Sequence, residues 1–70
     1  MKIKVNGEYL NYNGENLTVA KLLSLKNVED IDTVVVQLNG EFLDKSKYHE
    51  IVLKDNDEIE YLYFVGGGSS

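Results

Sequence analysis

The stretch KIKVNGEYL, residues 2–10, decides the fold. It places two short runs of alternating polar and apolar residues on either side of Asn6-Gly7. Successive side chains of a strand point to opposite faces, so Ile3 and Val5 share one face of the first run. An Asn-Gly pair between two such runs is the strongest short-range signal of a β-hairpin. The chain is therefore predicted to open with a hairpin whose first strand has one apolar face.

The apolar spacing changes to that of a helix in the segment LTVAKLLSLK. Val19, Leu22 and Leu23 fall on one stripe, as positions i, i+3 and i+4 of a helix do. Thr18 is a suitable N-cap, and Leu17 and Leu22 then occupy the two positions of a hydrophobic staple. The pattern predicts a short helix of two to three turns.

A β-branched run, TVVVQLNG at residues 33–40, follows an acidic link and ends in a second Asn-Gly pair. It predicts a strand with Val34, Val36 and Leu38 facing the core and Val35 facing outward.

The next segment, EFLDKSKYHEIVL, has no clear period. We expect a very short strand and a single helical turn in it. Phe42, Leu43, Tyr48 and Ile51 are the apolar side chains expected to anchor this segment in the core.

The last strand is predicted in KDNDEIEYLYFV, residues 54–65, after an opening turn. Ile59, Tyr61 and Tyr63 are expected to face inward. The order is then hairpin, helix, strand, short connection and last strand. This order favours an α+β fold in which a mixed sheet of four to five strands packs on one main helix, with the first and last strands adjacent. That arrangement is the ubiquitin-like β-grasp roll, predicted for residues 1–65, with a flexible tail at residues 66–70.

Composition restricts the partners. The chain has 70 residues, no Cys and a formal charge of −5. An acidic surface repels phosphate, which disfavours nucleic acid and anionic membranes. Neither a signal peptide nor a run of about 20 apolar residues is recognisable. We expect a cytoplasmic monomer whose partners are proteins.

Two apolar side chains fall on the solvent side of the last strand. Strand parity turns Leu62 and Phe64 outward, where Val35 of the preceding strand would lie beside them. Scattered exposed apolar residues are common and need no explanation. The alternative is a partner-binding patch leading to the tail, formed by Leu62, Phe64 and Val35.

The tail GGGSS has two interpretations. Gly- and Ser-rich ends serve as flexible linkers. Alternatively, Gly66, Gly67 and Gly68 form a thread, because glycine has no Cβ and its backbone can enter a narrow channel in another protein. A terminal carboxylate could then reach a distant active site.

Catalysis by the chain itself is disfavoured. His49 is the only histidine and has no Cys partner, so we interpret it as a structural or surface residue. The DND at residues 55–57 lacks the Gly and the final Glu of a calcium loop and is interpreted as a turn. We expect neither a catalytic residue nor a metal site.

Five segments taken together, MKIKVNGE, LTVAKLL, VVVQLNGEFL, YHEIVLKDNDEIE and FVGGG, resemble the thiamine sulfur carrier family, ThiS. The resemblance implies a carrier that is not an enzyme and ends in a glycine pair, matched here by Gly67 and Gly68, with Gly66 preceding it. It implies that an E1-like, ThiF-like enzyme uses ATP and magnesium to adenylate the terminal glycine. Sulfur from a cysteine desulfurase then gives a thiocarboxylate, which a ThiG-like thiazole synthase consumes.

Ser69 and Ser70 depart from that pattern, because they lock the carboxyl group of Gly68 in a peptide bond. Either they are artificial, or a peptidase removes them before Gly68 is adenylated. The glycines also leave other functions open. These are sulfur transfer to molybdopterin or a sulfur amino acid, conjugation to lysines as a ubiquitin-like modifier, and a plain interaction module with an inert tail.

Overall fold

The first hairpin forms around Asn6-Gly7, as the sequence predicts. Strand β1, Lys2–Val5, pairs antiparallel with β2, Glu8–Asn11, and Val5 lies opposite Glu8. Both turn residues have positive φ, 49° at Asn6 and 87° at Gly7. The two-residue turn that matches the twist of the strands needs positive φ at both positions. Asn and Gly adopt positive φ with little steric strain. The computed structural model describes residues 1–63, so the predicted tail lies outside it.

The predicted helix is α1, Val19–Leu25. Its cap is confirmed, since the Thr18 hydroxyl accepts the backbone N–H of Lys21 at 3.1 Å. Leu17 and Leu22, the two staple residues, are both buried. The helix is capped at Lys26, and the next residue, Asn27, has a left-handed φ of 68° that stops further helical turns.

A second hairpin repeats the design of the first. Strand β3, Val34–Leu38, turns through Asn39-Gly40 into the two-residue strand β4, Glu41–Phe42. Here too both turn residues have positive φ. Short 3-10 helices at Ile31–Thr33 and Lys45–Lys47 precede and follow this hairpin. The very short strand and the single helical turn that we expect after β3 are thus confirmed.

The last strand, β5 at Glu58–Tyr63, occupies the centre of the sheet. The strand order is β2-β1-β5-β3-β4. β5 runs parallel to β1 and antiparallel to β3. The predicted adjacency of the first and last strands is confirmed, and a five-stranded mixed sheet on one helix gives the β-grasp arrangement.

The core lies between the sheet and α1. Tyr48 is 1% exposed, and its hydroxyl donates to the carbonyl oxygen of Val34 at 3.2 Å. Leu43 and Ile51, also expected as anchors, are half-buried and pack against the core. Sequence periodicity did not indicate Val28 or Leu53, which lie in irregular segments. The buried set is Ile3, Val5, Leu17, Val19, Ala20, Leu22, Leu23, Val28, Val34, Val36, Tyr48, Leu53 and Ile59.

One expectation about the core is wrong, and a second is right about the face of the sheet although the side chain is largely exposed. Phe42 is no anchor, since 73% of it is exposed. It pairs across the sheet with Gln37, which lies on the outer face, and β4 therefore turns Phe42 outward. Tyr63 is on the inner side by parity but is 56% exposed. Seven helical residues span about 10 Å, whereas the six residues of β5 span about 20 Å. The helix therefore cannot cover the whole strand.

The DND segment is a turn, as predicted. Asp55 accepts the backbone N–H of Lys2 at 2.7 Å, and Asp57 accepts that of Lys54 at 2.8 Å. Asn56, between them, has a φ of 72°. These carboxylates thus hold backbone amides of the turn and of β1.

Within residues 1–63, no helix has the length and apolar character needed to cross a membrane.

Candidate functional site: the outer face of the sheet

The outer face of β3 and β5 carries the predicted apolar pair. Val35 lies directly opposite Leu62, and Gln37 lies opposite Glu60. Leu62 is 75% exposed and Val35 is half-buried. The prediction that these two side chains are neighbours on the solvent side is confirmed. That they bind a partner stays a prediction.

Phe42 adds a third apolar side chain to this face. Gln37 has Glu60 on one side and Phe42 on the other, so Phe42 and Leu62 stand on either side of the strand that carries Val35. Together these side chains form an open groove of about 390 Å³. It is lined by Asn6, Val35, Gln37, Phe42, Glu60 and Leu62. We call this set the outer groove.

The two Asn-Gly turns fix the strand that forms the floor of the groove. The Asn6 side-chain oxygen accepts the N–H of Tyr61 at 2.8 Å. The Asn39 side-chain oxygen accepts the N–H of Glu58 at 2.9 Å. β1 pairs with β5 only at Lys4 and Val5. Beyond them, the side chain of Asn6 replaces a backbone carbonyl of β1 as the hydrogen-bond acceptor for β5. β5 is thereby held from both neighbouring hairpins.

Charged groups surround the outer groove unevenly. Glu60 stands among its lining residues, and Glu58 is exposed nearby on the same face of β5. Lys2 and Lys4 place their ammonium groups 4.7 and 5.7 Å from the ring centre of Tyr9 on β2. Within the described part of the chain the one ion pair joins Lys47 and Glu50. The carboxylates at the groove have no ion-pair partner among residues 1–63.

The inner side of β5 ends in an aromatic pair. The rings of Tyr61 and Tyr63 meet edge to face with centres 6.3 Å apart. Burial raises the pKa of Tyr61 above its ordinary value, and the neighbouring Tyr63 adds to the rise. The last described residues of β5 thus carry large side chains on both faces of the strand.

The histidine and the carboxylates of residues 1–63 do not form a metal-binding cluster. His49 is exposed, at the end of the segment that contains Tyr48. Among residues 1–63, no group of three or more His, Cys, Asp or Glu side chains is placed to hold a metal ion.

The remaining predicted site residues are Phe64, Gly66, Gly67, Gly68, Ser69 and Ser70, all outside the described residues. The third member of the predicted patch, Phe64, is therefore untested by the structure. Leu62, on β5, lies two positions before Phe64 in the sequence. The outer groove accordingly sits at the base of the predicted tail.

Sequence reasoning missed Phe42 although the signal was present. A two-residue Asn-Gly turn fixes the register of a hairpin, so that Leu38 faces Glu41 and Gln37 faces Phe42. Gln37 points outward by the parity of β3, and Phe42 must do so as well. The large apolar side chain suggested burial, whereas the register determined its face.

A family model and two known proteins are similar to this chain in sequence over nearly its whole length. The family model described as ThiS family matches residues 3–68. The sulfur carrier protein ThiS of Bacillus subtilis (strain 168) is 36% identical over 66 residues, covering 94% of this chain and 98% of that protein. A thiazole synthase of Paramagnetospirillum magneticum is 39% identical over 69 residues. These are 99% of this chain but only 21% of that enzyme's length.

Solved structures agree with the sequence matches. The crystal structure of the thiamine biosynthesis protein ThiS from Geobacter metallireducens superposes with a TM-score of 0.82 at 40% identity, covering 97% of this chain and 100% of that one. A solution structure of a thiamine biosynthesis protein from the same organism gives a TM-score of 0.77 at 41% identity, covering 100% and 91%.

Proposed function

The chain belongs to the ThiS family, the sulfur carriers of thiamine biosynthesis, and from that premise we propose that Gly68 carries the sulfur as a terminal thiocarboxylate. The observation that carries this proposal is the extent of the family match, which runs to Gly68 and excludes the two serines. The chain then acts as a cosubstrate in the cytoplasm and leaves the catalysis to its partners.

The chemistry takes three steps. An oxygen of the Gly68 carboxylate attacks the α-phosphorus of ATP on a ThiF-like, E1-like enzyme that binds magnesium, and pyrophosphate leaves. The outer sulfur of a persulfide, formed from cysteine by a desulfurase, then attacks the acyl carbon, and AMP leaves with the carbon–oxygen bonding electrons. A second thiol attacks the inner sulfur of the resulting acyl disulfide, which releases the thiocarboxylate and leaves a disulfide on the sulfur donor. A glycyl carbonyl has no side chain to hinder either approach.

Gly66 and Gly67 serve as the thread that brings this carboxyl group into the partner's active site. A residue with a Cβ would widen the thread and restrict its backbone angles. β5 is hydrogen-bonded on both sides at Glu58 and Tyr61, which gives the thread a fixed starting point.

The outer face of the sheet docks the partners. Leu62 and Val35, with Phe64 beyond the described residues, form the apolar patch, and the structure adds Phe42 to the same face. Large exposed apolar side chains grouped on one face are typical of interaction sites. Docking here holds the domain while the tail reaches into the active site.

A thiazole synthase is the proposed acceptor of the sulfur. Its support is the thiazole synthase of Paramagnetospirillum magneticum, one fifth of which matches almost all of this chain. A carrier-like segment within the same polypeptide as a synthase is consistent with the two acting in consecutive steps. For this chain the synthase is proposed as a separate partner, again ThiG-like.

Ser69 and Ser70 must be absent when Gly68 reacts, since an amide offers no free carboxylate to ATP. We therefore propose that a peptidase removes the two serines wherever they are part of the natural protein. Their removal would control how much carrier is available.

Intact mass spectrometry tests the proposal. The full chain and a form ending at Gly68 are each incubated with the adenylating enzyme, ATP, magnesium and sulfide. We expect the shorter form alone to gain the mass difference between one sulfur and one oxygen atom. A Gly68→Ala variant of the shorter form, with its added Cβ, should react more slowly.

The proposal is wrong if the form ending at Gly68 is never modified, or if the full chain gains sulfur at Ser70 without losing any residue. The appearance of amide-linked conjugates to lysines, with no thiocarboxylate, would favour the ubiquitin-like alternative.

A further inference from the structure

Three asparagines of the chain, Asn6, Asn13 and Asn39, are each followed by glycine and then by glutamate. A glycine after an asparagine leaves its own backbone nitrogen unhindered, because glycine has no Cβ. That nitrogen can attack the side-chain amide carbon of the asparagine. The three sites share this chemistry and the same following residues, so the fold decides which of them reacts.

Two of the three sites are held by the hairpins. The side-chain oxygen of Asn6 accepts the N–H of Tyr61 at 2.8 Å. The side chain of Asn39 accepts the N–H of Glu58 at 2.9 Å and donates to Asp57 at 3.0 Å. Both asparagines have positive φ in turns whose flanking strands pair with each other. Attack by the glycine nitrogen therefore requires local opening of the turn and release of the amide from its partners on β5.

The third site lies in a segment without these restraints. The pairing of β1 and β2 ends with the bond from the Tyr12 N–H to the carbonyl oxygen of Met1, at 2.8 Å. Residues 13–16, which follow, make no backbone hydrogen bond within the described chain. The side chain of Asn13 is exposed. No hydrogen bond to residues 1–63 thus holds the Asn13 amide or the Gly14 nitrogen in place.

The packing of this loop favours glycine after Asn13. A Cβ at Gly14 would lie 2.6 Å from the hydroxyl oxygen of Tyr12 and 2.7 Å from two carbon atoms of its ring. Any other residue would have to displace that ring. The glycine that leaves Asn13 open to attack is therefore also the residue that the loop accommodates best.

We propose that Asn13 is a site of spontaneous deamidation in the folded protein, whereas Asn6 and Asn39 are protected by their turns. The Gly14 nitrogen bonds to the side-chain carbonyl carbon of Asn13, and the bond from that carbon to the amide nitrogen breaks. Ammonia leaves with the proton of the Gly14 N–H, and a cyclic succinimide remains. Water from the solvent then opens the ring at either carbonyl, which leaves an aspartate or an isoaspartate.

The proposed site is remote from the end of β5 that leads to the tail. Asn11, two positions before Asn13, lies opposite Lys2 at the start of β1. β1 and β5 are parallel, and Tyr63 is at the opposite end of β5. Deamidation adds one negative charge to a chain whose formal charge is −5. The inference does not depend on the proposed sulfur transfer.

Peptide mapping by mass spectrometry provides the test. The full 70-residue chain is incubated at mildly alkaline pH, once folded and once in concentrated guanidinium chloride, and is then digested. Deamidation is located at each Asn-Gly pair from the mass difference between an amide and a carboxylic acid. Isoaspartate is distinguished by its separate elution. Asn13→Gln is the control variant, because its longer side chain would have to close a larger ring.

In the folded chain we expect Asn13 to deamidate at least about tenfold faster than Asn6 or Asn39, because those two sites react only after local opening. In the denaturant the three rates should become similar, since all three sites have the same following residues. Folded Asn13→Gln should lose the fast reaction and keep the two slow ones.

Three results would overturn the inference. Similar rates at all three sites in the folded chain would show that the turns give no protection. A folded chain in which Asn13 stays unmodified, while it reacts in the denaturant, would show that the loop is itself protected. A rate advantage of Asn13 that persists undiminished in the denaturant would assign the difference to the local sequence and not to the fold.

Discussion

At the scale of single residues, one hydroxyl completes the edge of the sheet. The carbonyl oxygen of Val36 accepts the N–H of Leu43, but β4 is too short to serve Val34 two positions earlier. The hydroxyl of Tyr48 donates there instead, from a side chain that is almost completely buried. Burial raises the pKa of Tyr48, with the carboxylates of Asp44 and Asp32 adding to the rise.

This arrangement predicts alkaline sensitivity. A tyrosine whose pKa is raised by folding stabilises the protein below its ordinary pKa near 10, and this stabilisation is lost as the pH rises through the folded-state value. Tyr48→Phe should lower the free energy of unfolding at neutral pH by about 1–3 kcal/mol, since the Val34 carbonyl loses its partner. It should also lose less stability than the wild type between neutral pH and pH values above about 10.

Urea unfolding at neutral pH and at a pH above about 10 measures both the loss of stability at neutral pH and the further loss at alkaline pH. Tyr9→Phe is the control, because it removes a hydroxyl group from an exposed tyrosine. An alkaline loss of the same size in Tyr48→Phe and the wild type would show that another group is responsible.

At the scale of elements, the two Asn-Gly turns do more than reverse the chain. Asn39 accepts the N–H of Glu58 and donates to Asp57, and Asn6 accepts the N–H of Tyr61. The central strand is thus held by the turns of both hairpins. The dipeptides predict the turns from sequence, whereas their contacts with β5 depend on a strand order that only the folded sheet defines.

The difference between local sequence patterns and contacts between distant segments explains which features could be predicted from the sequence. The hairpin, the cap at Thr18 and the outward direction of Leu62 and Val35 follow from local patterns of two to four residues. The exposure of Tyr63 does not, because it depends on how far α1 reaches along β5. Leu53 is likewise fixed by a distant partner, since its N–H donates to the carbonyl of Leu17 and no local period reveals that contact.

Replacing Asn39 measures the value of a turn contact. Asn39→Gly keeps the positive φ but loses both side-chain hydrogen bonds. We expect the free energy of unfolding to fall by about 1 kcal/mol, since these bonds are partly exposed to water. The comparison is Asn27→Gly, which also has a positive φ but no side-chain hydrogen bond to the described chain. Equal effects of the two changes in urea unfolding would contradict a role for the Asn39 side chain.

At the scale of the whole molecule, residues 1–63 form a small domain that precedes the proposed reactive end. Within residues 1–63, one α-helix and five strands enclose a core of 13 buried hydrophobic residues, and the side chains form no metal cluster. The proposed recognition surface is the outer face of the sheet, and the proposed reactive atom lies at Gly68. This separation suits a carrier that visits one enzyme to receive sulfur and another to release it.

Sulfur transfer tests the central claim most directly. The form ending at Gly68 is converted to its thiocarboxylate with a heavy sulfur isotope and is then incubated with thiazole synthase and the other precursors of the ring. We predict that the label appears in the thiazole product and that the chain returns as the free carboxylate. Label that remains on Gly68 while thiazole forms, or a thiazole that carries only unlabelled sulfur, would contradict the assignment of this chain as the sulfur carrier.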